Sequence, residues 1–243
     1  MAATLIPTRT RIGVIVPSVN TVVEPWFSAV CPPGVTLHAA RMFLDNDFTT
    51  KALVRMDREE GLRALKQLMS CRPASVAYCC TASSIVQGLE YDGRLNHELN
   101  QAAGVPAFTA TSAIIEALHA LGARRIAVCS PYTKVIDDAE HEFFSAAGFE
   151  ILGAAHLGIA DAFKLADPTA DEIFALAQRA WHAEADATLI TCLNLNSQSV
   201  IDDLERHSGK PVITSTQATL WKLLRAAGVE DRIQGYGTLL KNY

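Results

Sequence analysis

A short apolar run in the first half of the chain reads Val76-Ala-Tyr-Cys-Cys-Thr-Ala-Ser-Ser84, and a run of the same design, Ala187-Thr-Leu-Ile-Thr-Cys-Leu-Asn-Leu-Asn-Ser197, stands in the second half. Each run has the length and the apolar character of a buried β-strand, and each ends in a cysteine that small or polar residues follow. We therefore predict that Cys80 and Cys192 occupy equivalent positions in two related units.

The sequence around the two cysteines repeats as well, because an apolar strand closed by a proline precedes each of them. Pro17 lies 63 positions before Cys80. Pro131 lies 61 positions before Cys192. Strands that alternate with helices are typical of a parallel sheet. The sequence thus predicts an α/β protein of two similar Rossmann-like units with parallel sheets, related by a pseudo-twofold axis, with the active site in the cleft between them.

The repeat also predicts where the units begin and end. We expect the first α/β unit to cover residues 1–110 and to be joined by the C-terminal segment 215–243, and the second unit to cover residues 111–214. Within the first unit, residues 53–69 predict one amphipathic helix with Leu62, Leu65 and Leu68 on its apolar face. The polar segment 42–51 is predicted to be irregular and to lie over a site.

Length and composition exclude several classes of protein. The 243 residues are 49% hydrophobic, which suffices for a substantial core, and the net charge of −5 comes without a basic cluster, so we expect no nucleic-acid partner. No run is long enough to span a membrane, and the amino terminus lacks the features of a signal peptide. We expect a cytoplasmic protein with no membrane partner.

The six cysteines predict neither a disulfide framework nor a metal site. The chain is not small and loop-rich, several cysteines lie in apolar strands, and no Cys-x-x-Cys pair or His-Glu-x-x-His helix occurs. There is also no Walker A loop and no Gly-x-Gly-x-x-Gly turn. We therefore expect reduced thiols, no metal and no cofactor.

Two cysteines at strand ends indicate chemistry, because ligands of parallel sheets bind beyond the carboxyl ends of the strands. A thiol at the start of a helix is expected to have a lowered pKa, and the free N–H groups there can hold a carboxylate or an enolate oxygen. Thiols that approach a ligand from opposite sides suit racemisation, or addition to an activated alkene followed by elimination.

The alternative is that these thiols only pack, as buried cysteines usually do. We assign packing to Cys31, Cys71, Cys79 and Cys129, and expect Cys79 to point to the opposite sheet face from Cys80. The repeated position reverses that assignment for Cys80 and Cys192. A binding protein whose cleft thiols merely pack remains the competing hypothesis from a different class.

Several short motifs spread over almost the whole chain together resemble the aspartate/glutamate racemase superfamily, and within it the branch of maleate cis/trans isomerase and arylmalonate decarboxylase. They are Val16-Pro-Ser-Val-Asn-Thr21, Cys80-Thr81, Ser130-Pro-Tyr-Thr133, Thr191-Cys192 and Lys210-Pro-Val-Ile-Thr-Ser-Thr-Gln-Ala-Thr-Leu-Trp221. The resemblance implies a small carboxylate substrate and a homo-oligomer, a dimer or larger.

The same resemblance implies a mechanism. Cys80 would add to the alkene carbon of maleate to give a succinyl thioether, which rotates about the new single bond and eliminates to fumarate, while Cys192 supplies and recovers a proton. Having both thiols favours an isomerase, or a two-cysteine racemase of a small acidic or amino-acid-derived substrate. An arylmalonate-type decarboxylase, which uses only the later thiol, is the third alternative.

The resemblance also implies substrate-binding residues. Asn20 and Tyr132 would hold carboxylates, and Thr81 with the backbone N–H groups of Ala82 and Leu193 would form oxyanion pockets. From the residues alone, Asn20 is equally well explained as a helix cap. For Tyr132 a packed aromatic is the less favoured alternative.

One loop departs from the isomerase pattern. That pattern places an asparagine after the second strand of the second unit, but residues 158–165, Gly-Ile-Ala-Asp-Ala-Phe-Lys-Leu, contain none. The sequence therefore leaves the identity of the acid open.

Overall fold

The computed structural model describes residues 10–45 and 48–243. It contains two four-stranded sheets. The strands of the first sheet are β1 Thr10–Pro17, β2 Val35–Met42, β3 Ser75–Tyr78 and β4 Ala107–Thr109. The strands of the second are β5 Arg125–Ser130, β6 Glu150–His156, β7 Ala187–Ile190 and β8 Val212–Thr214.

Strand order is the same in the two sheets. It is β2-β1-β3-β4 in the first and β6-β5-β7-β8 in the second, and every pairing is parallel. The central strands are buried along most of their length because helices cover both faces of each sheet. The predicted fold class, two similar α/β units with parallel sheets, is confirmed.

Helices connect the strands. Those of residues 10–109 are α1 Val23–Val30, α2 Thr50–Met56, α3 Leu62–Leu68, α4 Thr81–Gln87 and α5 Leu89–Ala103. Those that follow are α6 Ala110–Ala120, α7 Lys134–Ala146, α8 Ala170–Ala180, α9 Ile201–Ser208, α10 Ser215–Ala226 and α11 Gly237–Asn242. Each of the two cysteines of the repeat follows the end of its strand by two residues, Cys80 after β3 and Cys192 after β7.

The helix predicted for residues 53–69 differs from the structure in two ways. A π-helical turn, Asp57–Gly61, separates α2 from α3. Leu65 and Leu68 are buried as expected, but Leu62 is 52% exposed. Leu62 and Leu68 are six residues apart, and in an α-helix this spacing turns their side chains about 120° away from each other. Leu62 therefore lies outside the buried face of the helix on which Leu68 lies.

The C-terminal segment packs on both units. α10 contacts β3, and the Ser75 hydroxyl donates to the Leu223 carbonyl at 2.8 Å. The Tyr236 ring meets Trp26 of α1 edge-on, whereas α11 packs against α9 and β8. The domain boundaries at residues 110 and 214 stay a prediction.

All six cysteines are free thiols, and all lie in the described part of the chain. Within residues 10–45 and 48–243, no helix has both the length and the apolar character needed to cross a membrane.

Candidate active site

A buried pocket lies where the strands of the two sheets end, and all seven predicted site residues line it. It encloses about 340 Å³ between atoms, part of it open to solvent. Its lining comprises Pro17, Val19, Asn20, Leu44, Phe48, Cys79, Cys80, Thr81, Ala82, Tyr132, Leu165, Cys192, Leu193 and Asn194. Both units therefore contribute to one cavity, as a site in the cleft between them requires.

Cys80 is the residue that precedes α4, and its backbone is extended, with φ −138° and ψ 95°. Because the first N–H groups of a helix have no partner inside it, the N–H of Ala82 is available at this end of α4. The Cys80 side chain is 6% exposed, at the pocket wall.

Cys192 is held differently, in a turn rather than at the start of a helix. Its φ is +81°, a left-handed conformation that costs a non-glycine residue free energy. The next helical residues are the 3-10 turn Ser197–Val200. The backbone N–H of Leu195 donates to the Cys192 carbonyl at 3.2 Å and closes this turn. The expectation that both thiols begin helices is therefore wrong for Cys192.

Burial raises the pKa of both thiols to about 12, which reverses the expectation of lowered values. At Cys80 the charge of Asp57 adds to the rise, while hydrogen bonds from Ser83 oppose it. At Cys192 the hydrogen bonds from Asn194 and Tyr132 likewise oppose the effect of burial. Loss of solvation outweighs these bonds, so both groups are neutral thiols at pH 7 in the unliganded protein.

Tyr132 connects the two units. Its hydroxyl lies 2.8 Å from the Thr81 hydroxyl, and its ring stacks on Phe48 with centroids 5.8 Å apart. The side chain is buried, and burial raises its pKa well above the usual value, so it remains a neutral donor. Tyr132 is thus a packed aromatic that also lines the pocket with its ring and hydroxyl buried.

Asn20 also combines the two roles considered from the sequence. Its Oδ1 accepts from the N–H of Val22 at 3.0 Å and of Val23 at 2.9 Å, which caps the start of α1. These bonds orient the amide so that Nδ2 is left without a partner among the described residues. Because Asn20 lines the pocket, this donor is available to a carboxylate.

The sequence did not predict the role of Asn194. Its Oδ1 accepts from the Thr21 N–H at 2.9 Å, and its Nδ2 donates to the carbonyls of Val19 at 3.4 Å and Ala162 at 3.3 Å. It therefore fastens the loop after β1 to the second unit. The only signal in the sequence was a polar residue two positions after the second cysteine.

Two loops complete the pocket with apolar side chains. Leu44 and Phe48, from the segment predicted to lie over a site, line it, while residues 46–47 of that segment lie outside the described residues. Leu165 lines it from the loop 158–165, which lacks the asparagine of the isomerase pattern.

Glu140 is a second buried acid that the sequence did not single out. It lies on α7 and is fully buried, which raises its pKa well above the usual value, although the neighbouring Thr191 hydroxyl opposes this. Its charged form would raise the pKa of Cys192 and Tyr132. Glu140 is therefore a neutral carboxylic acid near Cys192.

Within the described residues, one group of side chains has the geometry to hold a cation. Ligand atoms of Asp137, Asp138 and His141 lie within 4.8 Å of one another. Lys134 Nζ, however, already contacts Asp138 at 2.7 Å, and none of these residues lines the pocket. His141 is half-buried, and its Nε2 lies 3.6 Å from the Asp137 carboxylate.

Comparison with known proteins defines the family. The profile described as arylmalonate decarboxylase matches residues 12–240, so the chain belongs to that family. A protein of Pseudomonas putida named maleate isomerase is 28% identical over 95% of this chain and 96% of its own length. The arylmalonate decarboxylase of Bordetella bronchiseptica is 27% identical over 88% of this chain and 96% of its own length.

Solved structures agree with the fold. The structure of a Cys-to-Ala variant of the maleate isomerase Iso from Pseudomonas putida S16 with maleate has a TM-score of 0.90 and 27% identity, over 95% of this chain and 97% of that one. The resemblance read from the sequence motifs, to the branch of maleate isomerase and arylmalonate decarboxylase, is thereby confirmed.

Proposed function

We propose that this protein is a cofactor-independent isomerase that converts the cis form of a small dicarboxylate to the trans form, maleate to fumarate. The observation that carries the proposal is the placement of two thiols, one from each unit, in a single buried pocket. The relatives named maleate isomerase, which match along almost the entire chain, support it.

The two thiols have complementary roles in this reaction. The Cys80 thiol gives its proton to a neighbouring base as the sulfur adds to one alkene carbon, and the Cys192 thiol gives its own proton to the neighbouring carbon and becomes a thiolate. The resulting single bond rotates, and Cys192 takes its proton back. The carbon–sulfur bond then breaks to form the trans alkene, and the base returns the first proton to the Cys80 sulfur. Atoms and electrons balance without an oxidant, a metal or a carrier group.

The substrate's carboxylates are bound by neutral donors. No residue that lines the pocket in the described part of the chain is Lys, Arg or His. The Asn20 Nδ2, the hydroxyls of Thr81 and Tyr132, and the N–H groups of Ala82 and Leu193 are the candidate donors. Fixed dipoles in a dry site stabilise a developing enolate without reorganisation.

Apolar side chains around these donors serve the intermediate. Leu44, Phe48 and Leu165 border the pocket and limit the access of water. A thioether that must rotate and eliminate is thus kept from side reactions with solvent. Leu165 belongs to the loop 158–165, which lacks the asparagine of the isomerase pattern, so the proposal extends to close analogues of maleate.

Proton NMR with maleate in deuterated buffer tests the proposal. Fumarate should appear with the native protein, and Cys80→Ala and Cys192→Ala should each abolish it. Deuterium entering the α-carbon of a chiral acid, with no alkene accepted, would instead identify a racemase. Carbon dioxide release from an arylmalonate that survives Cys80→Ala would identify a decarboxylase.

Three expectations from the sequence accompany this proposal. They are the division into residues 1–110 with 215–243 and residues 111–214, a homo-oligomer, and a cytoplasmic location. Packing of α10 against β3 supports the division. Light scattering of the purified protein would measure the number of subunits.

A further inference from the structure

Asp57 is a buried carboxyl group that the proposed reaction has not yet used. It lies in the π-helical turn between α2 and α3 and is 8% exposed. Three side chains donate hydrogen bonds to it: the Tyr78 hydroxyl to Oδ1, and Gln87 Nε2 and the Tyr91 hydroxyl, each at 2.9 Å, to Oδ2. A carboxylate with this many donors is held in one orientation.

The π turn packs directly against Tyr78. Gly61 ends the turn, and a Cβ on this glycine would lie 3.4 Å from the Tyr78 ring, at ordinary contact distance. The Tyr78 hydroxyl thereby reaches Asp57 in the same turn. Such turns within helices often occur at functional sites, and this one directs its acid toward the strand that leads to Cys80.

Ser83 adjoins both Cys80 and Asp57. It is fully buried in the first turn of α4, and its hydroxyl donates to the Cys80 carbonyl at 3.2 Å. Gln87 Nε2, which donates to Asp57 at 2.9 Å, also donates to the Ser83 carbonyl at 3.1 Å. The Ser83 side chain opposes the rise in pKa at both Cys80 and Asp57. One hydroxyl thus adjoins both the sulfur and the carboxylate.

We propose that Asp57 receives the proton of Cys80 through the Ser83 hydroxyl when the sulfur adds to the substrate. This inference rests on the proposed role of Cys80 as nucleophile. The S–H proton moves to Ser83 Oγ while the Ser83 O–H proton moves to Asp57, and the sulfur electron pair forms the carbon–sulfur bond. On elimination the pair returns to sulfur, and the proton returns by the same route.

Electrostatics favour this transfer over simple ionisation of Cys80. A thiolate beside an ionised Asp57 would place two negative charges in one buried region, which proteins avoid by keeping one group protonated. Burial raises the pKa of Asp57, and its hydrogen bonds oppose that rise. Asp57 is therefore a better base than an exposed aspartate, and proton transfer leaves a single charge.

The other titratable groups around the pair cannot take the proton. Tyr78 on β3 and Tyr91 on α5 face Asp57, and burial raises the pKa of each, so both are donors at neutral pH. Cys192 and Tyr132 line the pocket with Cys80, Cys79 precedes it in the chain, and burial raises the pKa of all three. Among the described residues that face Cys80, Asp57 is the one carboxylate.

The test is the rate at which iodoacetamide alkylates Cys80 between about pH 6.5 and 8.5, without substrate. Mass spectrometry of peptide fragments would separate Cys80 from Cys79. If the Cys80 proton moves only to Asp57, no proton is exchanged with solvent, so the alkylation rate of the native protein should be nearly independent of pH. In Asp57→Asn the thiol must lose its proton to solvent, so the rate should rise about tenfold per pH unit. A native rate that rises tenfold per unit, with Asp57→Asn faster at every pH, would overturn the proposal.

Asp92→Asn is the matched control, because Asp92 is 2% exposed in the same unit and accepts from the Thr111 hydroxyl at 2.6 Å. In Asp92→Asn the alkylation rate of Cys80 should remain nearly independent of pH. If Asp57→Asn does not fold, Ser83→Ala replaces it: its turnover should fall about 10- to 100-fold, as loss of general-base assistance does, and Ser83→Thr should restore it. Unchanged turnover in Ser83→Ala would count against the route.

The two proposals fail separately in these experiments. Alkylation needs no substrate, so a flat profile in a protein that leaves maleate unchanged would reject the isomerase and keep the proton transfer. If the protein converts maleate but the alkylation rate of native Cys80 rises steeply with pH, the isomerase is kept and the proton transfer to Asp57 is rejected.

Discussion

The hydroxyls of Thr81 and Tyr132 lie 2.8 Å apart, so the first residue of α4 in one unit is hydrogen-bonded to the loop after β5 in the other. Both thiols line the same pocket as these two residues, and Thr81 directly follows Cys80 in the chain. The bond therefore fixes the position of each half of the pocket relative to the other.

Tyr132→Phe removes this connection without removing the ring that stacks on Phe48. We expect turnover to fall about 10- to 100-fold, the effect of one or two strong buried hydrogen bonds. Steady-state kinetics would measure it, with the exposed Tyr243→Phe as the control. In a double-mutant cycle with Thr81→Val the two losses should not add, and additive losses would show that the two hydroxyls act independently.

Asn194→Ala should weaken the attachment of the loop after β1 to the second unit. The side chain makes three hydrogen bonds to backbone groups, and its loss leaves some of these groups buried and unpaired. We expect the free energy of unfolding to fall by about 2 to 3 kcal/mol. Urea denaturation would measure this, with the exposed Asn196→Ala as the control, and equal stability of the two variants would contradict the assignment.

The left-handed backbone conformation of Cys192 predicts that glycine is more stable than alanine at this position. At φ +81° glycine is unstrained and alanine is not, so Cys192→Gly should be more stable than Cys192→Ala by about 1 kcal/mol. Cys129, in the middle of β5, should show the opposite order, since glycine weakens a strand. Thermal denaturation of the four variants would check both, and alanine preferred at position 192 would refute the turn geometry.

The buried thiols predict a loss of stability in alkali. Burial raises the pKa of the Cys129 thiol, whereas an unfolded thiol ionises near about 8.5. Above that pH the unfolded chain holds fewer protons than the folded one, so the free energy of unfolding falls, by at most about 1.4 kcal/mol per pH unit for each such thiol.

Cys129→Ala isolates this effect, since Cys129 lies outside the pocket lining. The substitution should lower the free energy of unfolding equally at all pH values below 8 and reduce its slope above pH 9. Urea denaturation between pH 7 and 10.5 would measure the slope. Parallel curves for the two proteins would show that Cys129 ionises in the folded state.

The parts of this molecule that follow from local sequence pattern were predictable. The apolar runs that end at Cys80 and Cys192 placed both residues at strand ends, and the repeat placed them in one pocket. Topology alone brings the ends of parallel strands together, so no knowledge of side-chain packing was needed for that step.

The parts that depend on packing were not predictable. The pKa of Cys80 follows from burial and from Asp57, which is 23 positions away in the π turn between α2 and α3. The bonds of Asn194 join residues more than 170 positions apart. Neither distance in sequence nor residue type indicates such contacts.

Burial of the two pocket thiols also bears on how long the protein remains active in the presence of oxidants. Peroxides react with thiolates rather than thiols, and reaction rates follow exposure. Cys80 and Cys192 are 6% and 4% exposed, and burial raises the pKa of each to about 12. Neither sulfur is therefore readily oxidised by peroxide, and burial protects both pocket thiols from oxidative damage.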